Sequence, residues 1–269
     1  MKRLGFVVIL LASCSSMERS EKDKIKKSNM TYQPLVRQKH EKSLPQGEMI
    51  PIEREKYPWE KQLSGRYSPI TKEHFRCKGN PLNPQIQVAS ETEAVRVLRD
   101  CGGIDKHSLP VKGDKEFIYP VLIEILNEIQ KKTSAKVVIT CGHRCAEHNS
   151  YSDQSPTGKF SKHMIGAEVD FYVEGYENKP QEILQVIRQF YLENPRYQGL
   201  KEFQIFNKAT ANKIENKEIA VTINPKNEKR DYDNRHPYPY LTLDLKYDFD
   251  SKKKVEYTWK EAHSNIMQN

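Results

Sequence analysis

The segment SKHMIGAEVD, residues 161–170, holds the residue types of a metal site within a short span. His163 offers an imidazole nitrogen and Asp170 offers carboxylate oxygens, and both donor types suit a zinc ion. Gly166 lies between them and permits a tight turn, so two side chains seven residues apart can face one point. Ser161 is placed to support the ligands by hydrogen bonding. The segment therefore predicts two ligands of a zinc site that would activate a water molecule.

A second polar cluster lies upstream of this segment. The apolar stretch KVVIT, residues 136–140, is a predicted strand that leads directly into CGHRCAEHN, residues 141–149. Arg144 is the cation of this cluster, and its planar guanidinium suits a carboxylate or a developing negative charge. A structural ion pair with Asp170 or Glu168 is the alternative role for this arginine.

Together the two segments resemble a known enzyme family. SKHMIGAEVD is similar to the SxHxxGxAxD signature of zinc D-alanyl-D-alanine carboxypeptidases and murein endopeptidases. That fold is shared by the vancomycin-resistance D,D-dipeptidases and is similar to the Hedgehog signalling domain. CGHR, residues 141–144, resembles the S-G-Y-R element that follows the family's upstream strand. The resemblance implies a zinc cofactor, peptidoglycan stem peptides or cross-links as substrates, and support of the substrate or the oxyanion by Arg144.

Two positions depart from the family pattern. Glu168 stands where the signature has alanine. The family's third ligand is a histidine in a late strand, which here reads LTLD, residues 241–244, so Thr242 occupies the histidine's place. His236 is the first candidate for a replacement ligand, because the prolines that follow it can bend the chain back over the site. His263 is the second candidate.

A zinc-bound water also needs a proton acceptor. Zinc lowers the pKa of its bound water towards about 7, and a nearby carboxylate removes the proton. Glu168 and Asp244 are the two candidates, although Asp244 alternates with Leu243 along its strand and could equally face solvent. If the metal site is incomplete, the alternative is a non-catalytic peptidoglycan-binding or structural envelope lipoprotein on the same fold.

The first sixteen residues, MKRLGFVVILLASCSS, have the pattern of an exported lipoprotein. Two basic residues precede an apolar run that is too short to span a bilayer. Leu11-Ala12-Ser13-Cys14 resembles a lipobox, so residues 1–14 are predicted to be a signal peptide whose Cys14 becomes the acylated N-terminus; an ordinary signal peptide is the alternative. Acyl chains would hold the protein to a membrane facing the periplasm. The outer membrane is favoured, and Ser15 is compatible with that location.

Four cysteines remain after Cys14. An even number in an exported protein predicts disulfides, and we expect the local pairs Cys77–Cys101 and Cys141–Cys145 among the three possible pairings. A Cys-His zinc site built on CGHRCAEH is the alternative, which an oxidising compartment disfavours.

The formal net charge of +8 raises the question of nucleic-acid binding. Much of the basic excess is scattered or lies in tails such as KDKIKK and SKKK, and neither a recognition helix nor an aromatic RNA-binding strand is evident. We therefore expect no nucleic-acid partner, and a basic surface suited to an anionic cell wall or lipid face.

The elements that position these residues follow from composition and periodicity. Residues 15–72 are charged and dotted with proline, which predicts a flexible tether. Residues 73–269 form the predicted domain. A capping box at residues 90–93 predicts a helix through Leu98, and Pro120 and Pro180 each begin a further helix.

Later segments read as strands: EFQIF, EIAVTIN and YPYLTLDLKYD. Helices therefore come first along the chain and strands come later. This order predicts an α+β fold with a mainly antiparallel sheet, and the resemblance places the helices on one side of it.

Overall fold

A computed structural model describes five stretches of the chain, residues 67–88, 95–103, 107–155, 157–226 and 230–264. The predicted signal peptide with Cys14 and almost all of the predicted tether lie outside these stretches. Within them, no helix is long and apolar enough to cross a membrane.

The described residues form five α-helices, twelve strands and several 3-10 turns. The helices are α1 (Pro120–Thr133), α2 (Ala146–Ser152), α3 (Pro180–Glu193), α4 (Lys201–Gln204) and α5 (Trp259–Ala262). The strands are β1 (Ile86–Val88), β2 (Arg96–Leu98), β3 (Val111–Lys112), β4 (Lys115–Glu116), β5 (Val137–Cys141), β6 (Glu168–Val173), β7 (Asn207–Lys208), β8 (Lys213–Glu215), β9 (Ile219–Asn224), β10 (Tyr240–Leu245), β11 (Tyr247–Asp248) and β12 (Lys253–Lys254).

A six-stranded antiparallel sheet is the centre of the fold. Its strand order is β5-β6-β10-β9-β8-β7, and each neighbouring pair is antiparallel. Helices α1 and α3 pack against each other, and α1 also contacts β5. The remaining strands form the two-stranded pairs β1–β2, β3–β4 and β11–β12. The predicted α+β class with a mainly antiparallel sheet is confirmed.

Helices α1 and α3 form where the spacing of apolar residues predicts them. Each begins with a proline, which has no N–H to satisfy and a backbone angle suited to the first helical turn. Each then buries one stripe, and complete burial of a large aliphatic side chain contributes about 1.5–3 kcal/mol. The buried residues are Val121, Leu122, Ile125, Leu126 and Ile129 in α1, and Ile183, Leu184, Ile187, Phe190 and Tyr191 in α3.

Strands β6 and β10 separate apolar and polar side chains onto opposite faces, because successive side chains of a strand alternate. One face enters the core with Val169, Phe171, Val173, Leu241, Leu243 and Leu245. The other face carries Glu168, Asp170, Thr242 and Asp244. In the antiparallel register Thr242 lies opposite Asp170, and Asp244 lies opposite Glu168. The sheet thus brings the polar residues of two distant segments onto one surface.

Two predicted elements are wrong. Residues 96–98 form strand β2, paired with β1, instead of a helix, and Val95 and Val97 are exposed, so a helical stripe would have had no core to face. The segment EFQIF is also not a strand. It begins with the single helical turn α4, in which Phe203 is buried and stacks on Tyr197, whereas Ile205 is exposed.

Within the described residues, the core includes a residue that precedes the predicted boundary at residue 73. Ile70 is buried among the core residues, and its backbone N–H and carbonyl both bond to the side chain of Asn127 at 2.8 Å. These contacts attach the end of the predicted tether to helix α1.

Candidate active site

His163 lies on a 3-10 turn, Lys162–Ile165, just before strand β6. The hydroxyl of Ser161 caps this turn by accepting the backbone N–H of His163 at 3.3 Å. Gly166 ends the turn with φ of +67°, and a Cβ there would lie 2.9 Å from Ile118. A glycine is therefore required both by the backbone conformation and by the close packing. These features confirm the turn that the sequence predicts between His163 and Asp170.

The two ring nitrogens of His163 have different surroundings. Nδ1 is 2.8 Å from the carbonyl oxygen of Gly142, so it donates its hydrogen there and Nε2 is the nitrogen that faces the carboxylates. Nε2 is 3.4 Å from Oδ2 of Asp170 and 3.7 Å from Oε2 of Glu168. One imidazole nitrogen and two carboxylates therefore converge, with the imidazole orientation set by a backbone carbonyl.

The Asp170 carboxylate is held on both oxygens. The Thr242 hydroxyl donates to Oδ1 at 2.6 Å, and the Asn234 side-chain amide donates to Oδ2 at 2.7 Å. Thr242 accepts in turn from the amide of Asn224 at 2.9 Å. Thr242, which the motif resemblance aligns with a histidine, therefore orients the aspartate. Each carboxylate oxygen has a second lone pair, so Asp170 keeps the capacity to bind a cation.

An irregularity in strand β5 lies beside Asp170. The register between β5 and β6 shifts between Ile139 and Cys141, so that Cys141 lies opposite Asp170. Such bulges redirect a side chain at the edge of a functional site. The Cys141 thiol lies 3.4 Å from Nδ1 of His163, on the side of the ring already bonded to Gly142. Burial raises the pKa of this thiol to about 12, so it is neutral at physiological pH.

Arg144 is buried within a network of carboxylates. Its Nε donates to Asp233 and its Nη2 to Asp231, each at 2.7 Å. His148 extends the network, because its ring nitrogens lie 2.9 Å from Asp233 and 2.6 Å from Asp100. Burial opposes the charge on His148, but the two carboxylates outweigh it and raise its pKa to about 10. The predicted ion pair of Arg144 therefore exists, with partners other than Asp170 and Glu168.

The charges at the centre of the site shift one another's pKa values. Burial opposes protonation of His163, but the carboxylates of Glu168 and Asp170 outweigh burial and raise its pKa. Burial also raises the pKa of Glu168, and the negative charge of Asp170 adds to this effect. The pKa of Asp170 is lowered despite burial, chiefly because of His163 and then Arg144.

The converging groups open into a polar pocket of about 240 Å³. Four of the predicted site residues line it: Arg144, His163, Glu168 and Asp170. Ser161 and Thr242 contribute to the wall, together with Asp153, Thr157, Gly158, Asp231 and Tyr240. The structure therefore brings these four residues together around one pocket.

Three other predicted residues do not join these four. The His236 ring packs among Tyr172, Tyr238 and Tyr240, its Nε2 is buried without a hydrogen-bond partner, and it is not among the pocket-lining residues. Arg230 holds the backbone carbonyl of His236 at 2.6 Å, so the proline-rich turn does not carry this ring into the pocket.

Asp244 and His263 are also placed elsewhere. Asp244 pairs with Lys162 at 2.7 Å, which leaves it outside the set of residues that line the pocket. The His263 ring is exposed and stacks on Trp259 with ring centres 4.3 Å apart. The structure therefore supports neither histidine candidate for the third ligand, nor Asp244 as the proton acceptor.

The predicted disulfides are also corrected. Cys77, Cys101, Cys141 and Cys145 are free and buried. Cys145 belongs to a group with Cys77 and Cys101, whereas Cys141 belongs to the group of His163 and Asp170. The short sequence separation of Cys141 and Cys145 is misleading, because the chain passes from the strand bulge to the first turn of α2 between them.

The sequence analysis did not identify the loop at residues 231–234, which supports the site. Asp231, Asp233 and Asn234 hold Arg144 and Asp170, and Asn234 also accepts a 2.6 Å hydrogen bond from Thr140. The sequence signal for this loop was the polar cluster DYDN, residues 231–234, which lies shortly before strand β10 and Thr242.

The donor set fits a zinc ion. Nitrogen and oxygen ligands at about 2.0–2.2 Å from tetrahedral zinc lie about 3.4 Å from each other. The 3.4 Å and 3.7 Å separations of His163 Nε2 from the two carboxylates are close to this value. Imidazole and carboxylate are also the ligand types that zinc accepts. His163 and Asp170 could therefore hold it; Cys141 is the third member of their group of potential ligand atoms, and Glu168 lies 3.7 Å from His163 Nε2.

The chain matches a known protein-family model. Residues 92–206 match the family model described as Peptidase M15. The matched range contains Arg144, His163, Glu168 and Asp170, and it ends before strand β10 and Thr242. No curated protein and no solved structure matches the chain.

Proposed function

We propose that this chain, whose residues 92–206 match the Peptidase M15 family model, is a zinc-dependent peptidase that hydrolyses peptidoglycan stem peptides or cross-links. The observation that carries the proposal is the convergence of His163 Nε2 with Asp170 and Glu168 beside a pocket that Arg144 also lines. The family match supports a peptidase; the metal and the substrate are our inference from the donor set and from the resemblance of the SKHMIGAEVD motif.

Glu168 takes the place of the missing histidine as third ligand in this proposal. It projects from the same face of β6 as Asp170, two residues away, and its carboxylate lies 3.7 Å from the free nitrogen of His163. Asp170 is already oriented by Thr242 and Asn234, which is the support that metal-binding carboxylates commonly receive. A zinc ion bound here would lower the pKa of a bound water towards about 7 and polarise a peptide carbonyl.

Arg144 contributes a fixed positive charge to the pocket wall. Because Asp231 and Asp233 each bind one of its nitrogens at 2.7 Å, the guanidinium cannot rotate freely. A preorganised charge stabilises a developing oxyanion more effectively than a mobile one. Tyr240 lies on the same wall and offers an aromatic surface with a polar hydroxyl to a bound peptide.

The cellular setting is also part of the proposal. The N-terminal pattern supports export and acylation at Cys14, which would tether the enzyme to a membrane, preferably the outer membrane, facing the periplasm. The net charge of +8 suits a partner as anionic as the cell wall.

A second function is favoured by one specific observation. Thr242 occupies the position of the family's third ligand and uses its hydroxyl to satisfy Asp170. A non-catalytic protein that binds peptidoglycan peptides in the same pocket would need no metal. The presence or absence of zinc at His163 therefore separates the two functions.

The test compares the full chain, purified in detergent without chelators, with His163→Ala and His236→Ala. His236 is the matched control, since it is a neighbouring histidine outside the pocket. Metal content and the digestion of cross-linked muropeptides by mass spectrometry are the two measurements. We expect His163→Ala to lose one equivalent of zinc and all hydrolysis, and His236→Ala to retain both. Equal zinc in His163→Ala and the parent, with no hydrolysis by either, would leave the binding protein as the better explanation.

A further inference from the structure

Three cysteines and one histidine form a buried group apart from the active-site pocket. Cys77, Cys101, His107 and Cys145 each expose 3% or less of their surface, and their ligand atoms all lie within 4.8 Å of one another. The three cysteines form a cluster separate from the main hydrophobic core. We propose that these four residues bind a structural zinc ion, independently of the proposed peptidase function.

The distances within the group are those of a tetrahedral zinc site. With zinc about 2.3 Å from sulfur and about 2.0–2.1 Å from nitrogen, two sulfurs lie about 3.8 Å apart, and sulfur and nitrogen about 3.5 Å apart. Cys77 Sγ and Cys101 Sγ are 3.7 Å apart, and Cys101 Sγ is 3.5 Å from Nε2 of His107. A disulfide would instead require about 2.0 Å between the sulfurs.

The hydrogen bonds around the group suit metal binding. Nδ1 of His107 lies 3.2 Å from the carbonyl oxygen of Ser108, so it donates there and leaves the Nε2 lone pair facing Cys101. The backbone N–H groups of Gly103 and His148 donate to the sulfurs of Cys101 and Cys145, each at 3.3 Å. Such contacts orient the ligands and stabilise the negative charge of thiolates.

The backbone is also arranged to bring two loops close together. Cys77 and Cys101 are each followed, two residues later, by a glycine. A Cβ at Gly79 would lie 2.0 Å from Cys101 Sγ, and a Cβ at Gly103 would lie 2.5 Å from the carbonyl oxygen of Gly79. Only glycine allows these loops to approach so closely, and Gly103 also has φ of +69°.

Disulfide bonding does not account for this group. Three sulfurs allow at most one disulfide, which would leave the third thiol beside it in a buried site. The fourth cysteine, Cys141, belongs to the active-site group instead. Tetrahedral zinc uses all three sulfurs and the imidazole, and Cys3His is a common ligand set of structural sites.

Zinc at this position would stabilise the loop that carries Arg144 without contacting the active-site pocket. Cys145 directly follows Arg144 in the chain. The backbone N–H of His148 contacts the Cys145 sulfur, and the His148 ring bonds to Asp233 and Asp100. The ion would link the segments around residues 77, 101 and 107 to the loop that contains Cys145. Metal binding of this kind contributes directly to folding free energy.

The test uses His163→Ala, in which the active-site ligand is absent and any remaining zinc must lie elsewhere. The full chain is purified anaerobically without chelators. Zinc release is measured during titration with an organomercurial reagent. The absorption spectrum of the protein is recorded after its zinc has been replaced by Co²⁺. We expect one equivalent of zinc, released as the thiols react, and thiolate-to-cobalt charge-transfer absorption that Cys145→Ser in the same background abolishes.

Wild-type protein provides a second measurement that does not depend on the folding of a variant. Peptide mapping under non-reducing conditions, after alkylation, reports the state of every cysteine. Free Cys77, Cys101 and Cys145 together with two equivalents of zinc would agree with both metal proposals, whereas one equivalent in both the wild type and His163→Ala would support this one alone. A disulfide between any two of these cysteines, or metal-free His163→Ala protein, overturns the structural site.

Discussion

Thr242 donates its hydroxyl hydrogen to Oδ1 of Asp170 at 2.6 Å, across the strand pair in which the two residues lie opposite each other. In the proposed site, the residue that the motif resemblance puts in the place of the third ligand therefore supports the proposed ligand Asp170. This relationship joins the departure from the family motif to the proposed metal site, because an oriented carboxylate binds a cation more tightly than a mobile one.

Thr242→Val keeps the shape of the side chain and removes the hydroxyl. We expect zinc affinity at the active site to fall about 10- to 100-fold, as it commonly does when a supporting hydrogen bond to a metal ligand is lost. Competition with a chromophoric chelator measures the change. Thr222→Val is the matched control, because Thr222 lies opposite Thr242 on strand β9. An unchanged affinity for Thr242→Val would show that Asp170 needs no support.

Glu168→Gln separates two roles for this carboxylate. If Glu168 is the third ligand, the variant loses both zinc affinity and hydrolysis, since a neutral amide is a weaker ligand for zinc. If Glu168 only accepts a proton, zinc binding stays normal and kcat falls. We expect the first result. Asp244→Asn is the control, because Asp244 pairs with Lys162 and should be dispensable for zinc binding.

Arg144→Met tests the buried charge network. The substitution leaves Asp231 without its 2.7 Å partner and removes one partner of Asp233. Breaking a buried ion pair on one side typically costs about 3–5 kcal/mol of unfolding free energy. Urea denaturation measures this loss. Arg196→Met removes the partly exposed pair with Glu124 and should cost less than about 1 kcal/mol. Similar losses for both variants would contradict a special role for the network.

Glu218 should make the stability of the fold depend on pH. Its carboxylate is buried and accepts hydrogen bonds from the hydroxyl groups of Tyr191 and Tyr197 at 2.9 and 2.7 Å. Burial raises its pKa, and the two hydroxyls only partly offset this. The Glu218 carboxyl group therefore binds its proton more tightly in the folded protein than in the unfolded chain. The free energy of unfolding therefore falls as the pH rises from the ordinary value of 4.5 through the raised pKa.

Glu218→Gln removes this titration while keeping an oxygen that accepts the tyrosine hydroxyls. We expect the variant to gain stability relative to the wild type as the pH rises from about 4 to neutrality. Urea unfolding at several pH values measures the difference. The exposed Glu256→Gln serves as control, and a Glu218→Gln curve parallel to the wild-type curve would contradict the prediction.

The sequence alone determined the features that depend on local pattern. The apolar stripes of α1 and α3 follow from 3.6-residue periodicity, and the alternation in β6 and β10 follows from the two-residue period of strands. The turn from His163 to Asp170 was also predictable, because Gly166 supplies a backbone conformation that other residues adopt at a cost. Local energetics and the tertiary structure agree in these places.

Only the tertiary structure decided which distant residues meet. Asn234 reaches Asp170, and His107 meets three cysteines spread from residue 77 to residue 145, because the sheet and loops fold those segments together. His236 was a reasonable ligand by sequence, yet packing among tyrosines placed it elsewhere. Residues 96–98 became a strand because pairing with β1 outweighed a weak helical pattern. Such contacts depend on long-range packing and hydrogen bonding, which no short stretch of sequence encodes.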